Sequence, residues 1–387
     1  MVPVKLWVRP SMVKIDGKLM YDVCMRTLVL CLVIIATRFA VAAPPAYKVE
    51  KLFQATGYEN FQTRRVTEFT NSGRVIFDDK VGLKFVKMEY FAGSETNISQ
   101  QIFGNSTSPY AIYRSESGKY AVATDSDSHG FLRDGLDGEN YAPTPYPNHR
   151  HVNVMGITER YAFGSSFFDE ASHQYSEVAY MYDHITRTRY DLIAAGAEVG
   201  KSRTTAMNEA GQAVVEVFPG PEPYGPMNVE QCELWQNGQR KIIGQMGGCH
   251  INSLGQVIGY VGNPFVATYD TVQFWNGSSL QSFSVGWAQP TSLSDNGLAY
   301  CTQGNGAFQA GRIFDSNTGT LYDLHAITSN MPAGMIAYHG LIRADGTIAA
   351  IGTENGKSYL LKFTPVPEPG SIFAVGFGLI LLRRRRR

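Results

Sequence analysis

The stretch Ile251-Asn-Ser-Leu-Gly-Gln-Val-Ile-Gly259 contains a polar turn that ends in glycine and a β-branched run that follows it at once. A polar residue followed by glycine supplies the positive φ of a tight turn, and the run after it forms a strand buried on one face or both. The stretch therefore predicts a β-hairpin. Six further copies of the pattern lie at residues 70–76, 116–122, 156–163, 207–215, 293–300 and 342–349.

The copies recur at a nearly constant distance. When the glycine position is marked in each copy, the steps between marks are 45, 42, 51, 44, 42 and 49 residues. A period of about 45 residues is that of a four-stranded propeller blade. One copy is degenerate, because Arg160 replaces its glycine. The marked residues are Gly73, Gly118, Arg160, Gly211, Gly255, Gly297 and Gly346.

The repeats predict an all-β protein. Seven units of about 45 residues fill about 315 residues, and no unit could bury both faces of its own sheet. A closed ring of blades also leaves no row of open sheet edges. The sequence therefore predicts a β-propeller of about seven blades over residues 43–364, with six blades or a β-sandwich array as alternatives. A strand at 47–53 is predicted to pair beside one at 358–363 and close the ring.

The composition agrees with short strands and tight turns, since the chain has 39 glycines, 21 tyrosines and 21 phenylalanines. The 34 basic and 34 acidic residues give a formal net charge of zero. Five of the arginines end the chain, so the rest is slightly acidic, which argues against nucleic acid as a partner.

A second element follows most copies of the turn and consists of an aromatic-rich strand, a polar turn and another strand. Residues 178–192 and 311–324 are the longest examples. Together the paired elements resemble the HAF-type extracellular repeats of bacterial surface proteins. Residues 251–259 match the first half of that repeat and 311–324 the second, and His129-Gly-Phe131 keeps the histidine. The resemblance implies an extracellular protein.

The chain ends in Val366-Pro367-Glu368-Pro369-Gly370, an apolar run from Ser371 to Leu382, and five arginines. Twelve helical residues rise only about 18 Å, short of a hydrocarbon core of about 30 Å, so the run predicts a marginal transmembrane helix with transient insertion. The arginines would hold its end on the cytoplasmic side. They are Arg383, Arg384, Arg385, Arg386 and Arg387.

In this order, the three parts of residues 365–387 resemble the PEP-CTERM sorting signal of Gram-negative bacteria, which an exosortase recognises. The resemblance implies processing at the motif Pro367, Glu368 and Pro369, followed by release or attachment at the cell surface. It also makes an exosortase and the secretion machinery expected partners. A plain tail anchor is the alternative.

The other end of the chain also predicts export. Residues 28–36 form an apolar core of signal-peptide length, and Ala40-Val41-Ala42 is a small-x-small cleavage site. Residues 1–42 are therefore predicted to be a signal peptide, whose translation start is Met1, Met20 or Met25. A membrane anchor that is never cleaved is the alternative.

Three cysteines follow the predicted signal peptide: Cys232, Cys249 and Cys301. An odd number cannot form a complete disulfide framework. A bridge between Cys232 and Cys249 in an oxidising compartment and three buried thiols both remain open.

Two groups of residues could bind metal. In Asp125-Ser-Asp-Ser-His-Gly130, Asp125 and Asp127 stand at ligand positions of an EF-hand-like calcium loop, although position 12 would be Leu136. An ordinary Asp-rich turn is the alternative interpretation, and no other cofactor is predicted. His149 and His151 would share one face of a strand, but the sequence shows no third ligand and predicts solvated loop histidines.

Catalytic signatures such as Gly-x-Ser-x-Gly and His-Glu-x-x-His do not occur. We therefore expect a non-catalytic surface or matrix protein that binds polysaccharide or a surface protein, and no catalytic residue is predicted. The association of such sorting tails with exopolysaccharide, in a biofilm matrix for example, implies the glycan. The alternative is a secreted glycan hydrolase or lyase with carboxylates gathered at the central channel.

Overall fold

In a computed structural model, the chain divides into two units, Met1–Pro44 and Pro45–Arg387. All of the described strands lie in the second unit. The residues that the structure describes are 44–54, 65–81, 84–104, 109–125, 129–135, 138, 140–141, 151–168, 176–192, 201–218, 231–262, 271–303 and 310–367.

The described strands form seven four-stranded antiparallel blades of a propeller, and a parallel contact between Glu177 and Lys201 joins blades 3 and 4 into one eight-stranded sheet. In blades 1 to 6, the four strands of a blade follow one another in the chain. The first three blades are blade 1, β2 (Val66–Phe69), β3 (Val75–Val81), β4 (Lys84–Phe91) and β5 (Ser94–Asn97); blade 2, β6 (Pro109–Arg114), β7 (Tyr120–Asp125), β8 (Gly130–Asp134) and β9 (Asn140–Tyr141); and blade 3, β10 (His151–Ile157), β11 (Tyr161–Phe168), β12 (Ser176–Asp183) and β13 (Thr188–Asp191).

The remaining blades follow the same order, except that blade 7 takes its fourth strand from the beginning of the chain. They are blade 4, β14 (Lys201–Met207), β15 (Ala213–Phe218), β16 (Gln231–Gln236) and β17 (Gln239–Gly244); blade 5, β18 (Gly247–Ile251), β19 (Val257–Val261), β20 (Thr271–Trp275) and β21 (Leu280–Ser284); blade 6, β22 (Ala288–Leu293), β23 (Leu298–Gln303), β24 (Ala310–Asp315) and β25 (Thr320–Asp323); and blade 7, β26 (Ile336–Ile342), β27 (Ile348–Glu354), β28 (Lys357–Pro365) and β1 (Tyr47–Gln54).

The ring is closed by β1 and β28, which pair antiparallel from Tyr47 opposite Pro365 to Gln54 opposite Tyr359. The predicted closure is therefore confirmed, and the chain is a seven-bladed β-propeller. The alternatives of six blades and of a β-sandwich array are wrong. The reason is packing: the hydrophobic core consists of seven clusters, and each lies between two neighbouring blades.

Arg160 breaks the glycine pattern because the turn of blade 3 is shorter. There the N–H of Thr158 donates to the carbonyl of Tyr161, whereas in blade 4 the N–H of Asn208 reaches Gln212. Gly211 has φ +76°, while Arg160 is not among the described residues with positive φ. Losing one residue from the turn removes the left-handed position that requires glycine.

The first strand of each blade lies next to the first strands of the neighbouring blades, and we call it the inner strand. Each of the seven inner strands contains a register shift against the second strand of its blade. In β26, for example, the shift falls between Ala337 and Gly340. Such bulges increase local bending, and the sequence did not predict them. The other six shifts are at Val66/Glu68, Pro109/Ala111, Val154/Gly156, Thr204/Ala206, Gly247/His250 and Pro290/Ser292.

One short helix, α1 (Ile98–Phe103), connects blades 1 and 2. The Asn97 side chain caps it by accepting from the N–H of Gln100, and Ile98 and Ile102 pack between the two blades. The sequence predicted helices only in the two targeting segments, because six residues are too few to show helical periodicity. Both targeting segments lie outside the described residues. Within the described part, no helix has the length and apolar character needed to cross a membrane.

Candidate functional site

The turns between the first and second strands of the seven blades lie on one rim of the propeller. We call them the turn ring: residues 70–74, 115–119, 158–160, 208–212, 252–256, 294–297 and 343–347. Hydrogen bonds connect neighbouring turns at all seven junctions, including the junction between blades 7 and 1.

Carboxylates make several of these junctions. Glu116 accepts from the N–H of Asn71 at 2.8 Å, and its backbone carbonyl accepts from the Ser72 hydroxyl at 3.0 Å. Asp295 accepts from the N–H of Ser253 at 3.0 Å and from its hydroxyl at 2.5 Å. Such charge-assisted bonds are stronger than neutral ones. The acidic residues of the repeated turn are therefore occupied in connecting blades.

Asparagines make other junctions. The Nδ2 of Asn208 donates to the carbonyl of Asn252 at 2.9 Å, and the Nδ2 of Asn252 donates to the carbonyl of Ser294 at the same distance. At the last junction, the guanidinium of Arg343 donates to the carbonyl of Asn71 at 3.0 Å. The polar residues of the repeat thus have a structural role, which explains why the pattern recurs at the blade period.

A pocket of about 460 Å³ opens on the same rim, between blades 7 and 1. We call it the closure pocket, because β1 and β28 form one of its sides. Its apolar lining comes from both blades, which meet here in one core cluster. The apolar residues that line it are Leu52, Phe69, Val75, Tyr90 and Ala349.

Charged and polar side chains surround this apolar lining. Glu50 and Lys362 are directly opposite each other on β1 and β28, so their charges offset. Arg343 lies with its guanidinium carbon 5.3 Å from the centroid of the Phe69 ring and pairs with Asp345 at 2.7 Å. Desolvation opposes ionisation of Asp345, but hydrogen bonds from Arg343 and Thr347 outweigh it and lower the pKa to about 2. Arg343 is thereby held in place.

The closure pocket combines an aromatic ring, an apolar floor and hydrogen-bonding groups of both charges. Pockets of this volume and lining are typical of small-ligand sites. Sequence reasoning missed this pocket, because its residues range from Glu50 to Lys362 and come together only when the ring closes. No short sequence signal could have found it.

Four buried carboxylates elsewhere in the described body are paired with arginine. Glu89 contacts Arg74 at 2.6 Å and Arg114 at 2.9 Å. The other such pairs are Glu216 with Arg203 at 2.9 Å, Glu233 with Arg240 at 3.0 Å and Asp183 with Arg160 at 2.7 Å. A carboxylate held by arginine is a poor proton donor, because the neighbouring cation favours its ionised form.

Glu68 differs from these carboxylates. It lies on the inner strand β2 and accepts from the N–H of Arg114 at 2.6 Å. Desolvation raises its pKa to about 8, against the lowering effect of Arg114 and Arg74. A glycosidase needs one protonated and one ionised carboxyl on either side of the scissile bond. Glu89, the neighbouring acid, is 7% exposed and paired with two arginines, so a sugar has little access to it.

The candidate calcium residues are only partly described. Asp125 ends β7, and its Oδ1 accepts from the N–H of His129 at 2.9 Å. This bond is the local contact that an Asp-rich turn makes. Asp127 lies outside the described residues. Among the residues that are described, no group of three or more His, Cys, Asp and Glu side chains could hold a metal ion.

Only one of the two candidate histidines lies among the described residues. His149 lies outside the described residues, and His151 begins β10 with its ring stacked on Phe167 at a centroid distance of 5.0 Å. The ring of His129 also stacks on His151, at a centroid distance of 5.8 Å, a neighbour that the sequence did not predict. His250 is separate, on β18, and desolvation lowers its pKa to about 4.

The sorting residues begin where the propeller ends. Pro367 is exposed after β28, and Val366 donates its N–H to the carbonyl of Ala46 at 2.8 Å. Since Tyr47 lies opposite Pro365, β1 begins beside the end of β28, on the rim that bears the turn ring. Glu368, Pro369, Arg383, Arg384, Arg385, Arg386 and Arg387 lie outside the described residues, as do residues 1–43.

No protein-family model matches the chain. No curated protein matches it either. Similar solved structures include YCF48 bound to D1 peptide, with 11% identity, 84% of this chain and 98% of that chain covered and a TM-score of 0.49. The WD40 repeats of RRP9 have 13% identity, cover 82% of this chain and 98% of that chain, and give a TM-score of 0.47. The propeller assignment itself rests on the strand pairing described above.

Proposed function

We propose that this protein is an exported, non-catalytic β-propeller that an exosortase sorts to the cell surface, where it binds extracellular polysaccharide. The observation that carries the proposal is that the propeller closes by pairing β1 with β28. The strands of the ring thus run from Tyr47 to Pro365, between the predicted signal peptide and the predicted sorting tail. Removal of residues 1–42 or of residues 366–387 leaves every described strand in place.

Support for the sorting step comes from the position of the motif. Pro367 is exposed just after the last strand, on the rim opposite to the connections between second and third strands. A processing enzyme could reach an exposed segment beside a rigid rim without unfolding the blade. The HAF-type pattern of the repeats supports the same extracellular location.

The sorting proposal predicts that Pro367→Ala combined with Glu368→Ala abolishes most processing and surface display. The chain contains a matched control, since a second Pro-Glu-Pro lies at Pro221–Pro223 within the body. Pro221→Ala combined with Glu222→Ala should leave processing unchanged. Fractionation of the host cells and immunoblotting of a tagged protein measure both. Normal processing of the tail variant would show that the sorting hypothesis is wrong.

Support for polysaccharide binding comes from the closure pocket. Sugar rings stack their C–H faces on aromatic side chains and donate and accept hydrogen bonds at their edges. Tyr90 offers the ring, and Asn71, Glu50 and Lys362 offer the polar groups. Four of the described buried carboxylates, Glu89, Asp183, Glu216 and Glu233, are paired with arginines, and the proposed outcome for the glycan is binding without cleavage.

The binding proposal predicts that Tyr90→Leu weakens affinity for the host's extracellular polysaccharide about five- to tenfold, since a stacked ring contributes about 1 kcal/mol. Tyr322→Leu is the matched control, because Tyr322 is also partly buried on a strand but lies in blade 6. Titration of the polysaccharide measures affinity, and polymer length is followed in the same mixtures. Shortened polymer would favour the glycan hydrolase or lyase. Equal affinities for both variants would place the site elsewhere.

A further inference from the structure

Two of the three described cysteines meet at the interface of blades 4 and 5. Cys232 is on β16, the third strand of blade 4, and Cys249 is on β18, the inner strand of blade 5. Their Sγ atoms are 3.3 Å apart, and the residues are 0% and 1% exposed. Both belong to the core cluster that joins the two blades.

The contact is specific to this pair. Cys301 is equally buried, but it belongs to the cluster between blades 5 and 6, and its Sγ contacts the carbonyl of Ala299 at 4.0 Å. A disulfide bond is about 2.05 Å long, so the Sγ atoms of Cys232 and Cys249 would have to approach by only about 1.3 Å. Small side-chain rotations within one interface can supply that movement.

We propose that Cys232 and Cys249 form a disulfide bond that ties blade 4 to blade 5 in the exported protein. One thiolate attacks the disulfide of an oxidised thiol–disulfide oxidoreductase, and a mixed disulfide forms. The second thiolate then attacks the mixed disulfide and releases the oxidoreductase as a dithiol. Cys232 and Cys249 lose two electrons and two protons in total, and the oxidoreductase gains them.

The order of folding and oxidation follows from burial. Burial raises the pKa of the Cys249 thiol, so the reactive thiolate is scarce once blade 5 has docked on blade 4. The bond should therefore form while the interface is still open, and the folded, reduced protein should oxidise slowly. This inference rests on the proposed function only in that export supplies the oxidising compartment.

The bond would act across a blade junction. It would link residues 17 apart in sequence and enclose β17 together with the connection at 245–246. Closing a loop of this length restricts the unfolded chain. In the folded ring it would join β16 of blade 4 to β18 of blade 5. No backbone ladder joins these strands, because blades 4 and 5 belong to separate sheets.

The test uses the full chain produced in its host, in wild-type, Cys232→Ser and Cys301→Ser forms. Free thiols are alkylated under denaturing conditions, and peptides are examined by mass spectrometry without reduction. We expect a linked peptide pair, lighter by two hydrogen atoms than its components, in the wild-type and Cys301→Ser proteins. In Cys232→Ser, Cys249 should be alkylated. Alkylation of both Cys232 and Cys249 in the exported wild-type protein would overturn the proposal.

A second measurement separates this proposal from the export proposal. The full chain is refolded in a glutathione redox buffer, whatever compartment it came from. Formation of the bond during refolding would support the disulfide even if fractionation found no export. Reduction should then lower the melting temperature of the wild-type protein by about 5–10 °C and leave Cys232→Ser unchanged. Free thiols at both Cys232 and Cys249 after refolding would overturn the disulfide and leave the sorting experiment unaffected.

Discussion

Deletion of residues 45–54 should abolish cooperative folding of the propeller. These residues contain β1, the outer strand of blade 7, which contributes the fully buried Tyr47 and the nearly buried Val49 to the core between blades 6 and 7. Burying each side chain stabilises the fold by about 1.5–3 kcal/mol, and the hydrogen bonds to β28 add to this. The total approaches the 5–15 kcal/mol that separates a typical native protein from its unfolded state.

The side chain of Asn330 also covers the outer edge of β1, which increases the expected loss of stability on deletion. The Asn330 side chain accepts from the N–H of Val49 at 2.7 Å and donates to its carbonyl at 2.9 Å. Loss of β1 would therefore leave β28 as an open edge and Asn330 without its partners. Open edges favour aggregation. We expect the deletion variant to be aggregated in size-exclusion chromatography and to lack a sharp melting transition.

A circular permutant is the control for this deletion. Because Tyr47 lies opposite Pro365, a short Gly-containing turn can join the end of β28 to the start of β1, with new termini placed between residues 54 and 65. The permutant keeps every strand and should melt within a few degrees of the parent. If the deletion variant melts like the permutant, β1 does not hold the ring closed.

The sequence could predict the blades because each blade repeats one local signal. Gly255 and Gly346 both take positive φ at the predicted turn, and the spacing of such turns gave the number of blades. The closure by residues 47–53 was also predicted, from strand-like segments before the first repeat and after the last one. These features depend on short segments and on their period.

The remaining features depend on contacts between blades. The pairing of Asn208 with Asn252 needs a register between neighbouring turns that no single repeat contains. The stacking of His129 on His151 likewise joins two blades. The closure pocket forms only when β1 and β28, the first and last strands, lie side by side. Such juxtapositions follow from how blades pack in three dimensions, so one sequence read alone does not specify them.

The buried ion pairs also could not be predicted from one sequence. Breaking one of them should have the second large effect on stability. Glu89→Gln should lower the free energy of unfolding by about 3–5 kcal/mol, because breaking a buried pair leaves uncompensated charge. Glu89 neutralises both Arg74 and Arg114, and all three residues are less than 10% exposed. The Nε atoms of both arginines already have no hydrogen-bond partner, so a neutral amide cannot satisfy the remaining donors.

Urea unfolding of Glu89→Gln and of Glu95→Gln measures this effect against a matched control. Glu95 is exposed on β5, the strand next to β4, and an exposed carboxylate contributes at most about 1 kcal/mol. A midpoint shift that is large for Glu89→Gln and negligible for Glu95→Gln, with equal slopes, would place the effect in the folded state. Similar small shifts for both variants would show that water reaches the two arginines, and that the apolar cluster and the turn hydrogen bonds hold the junction of blades 1 and 2 without this ion pair.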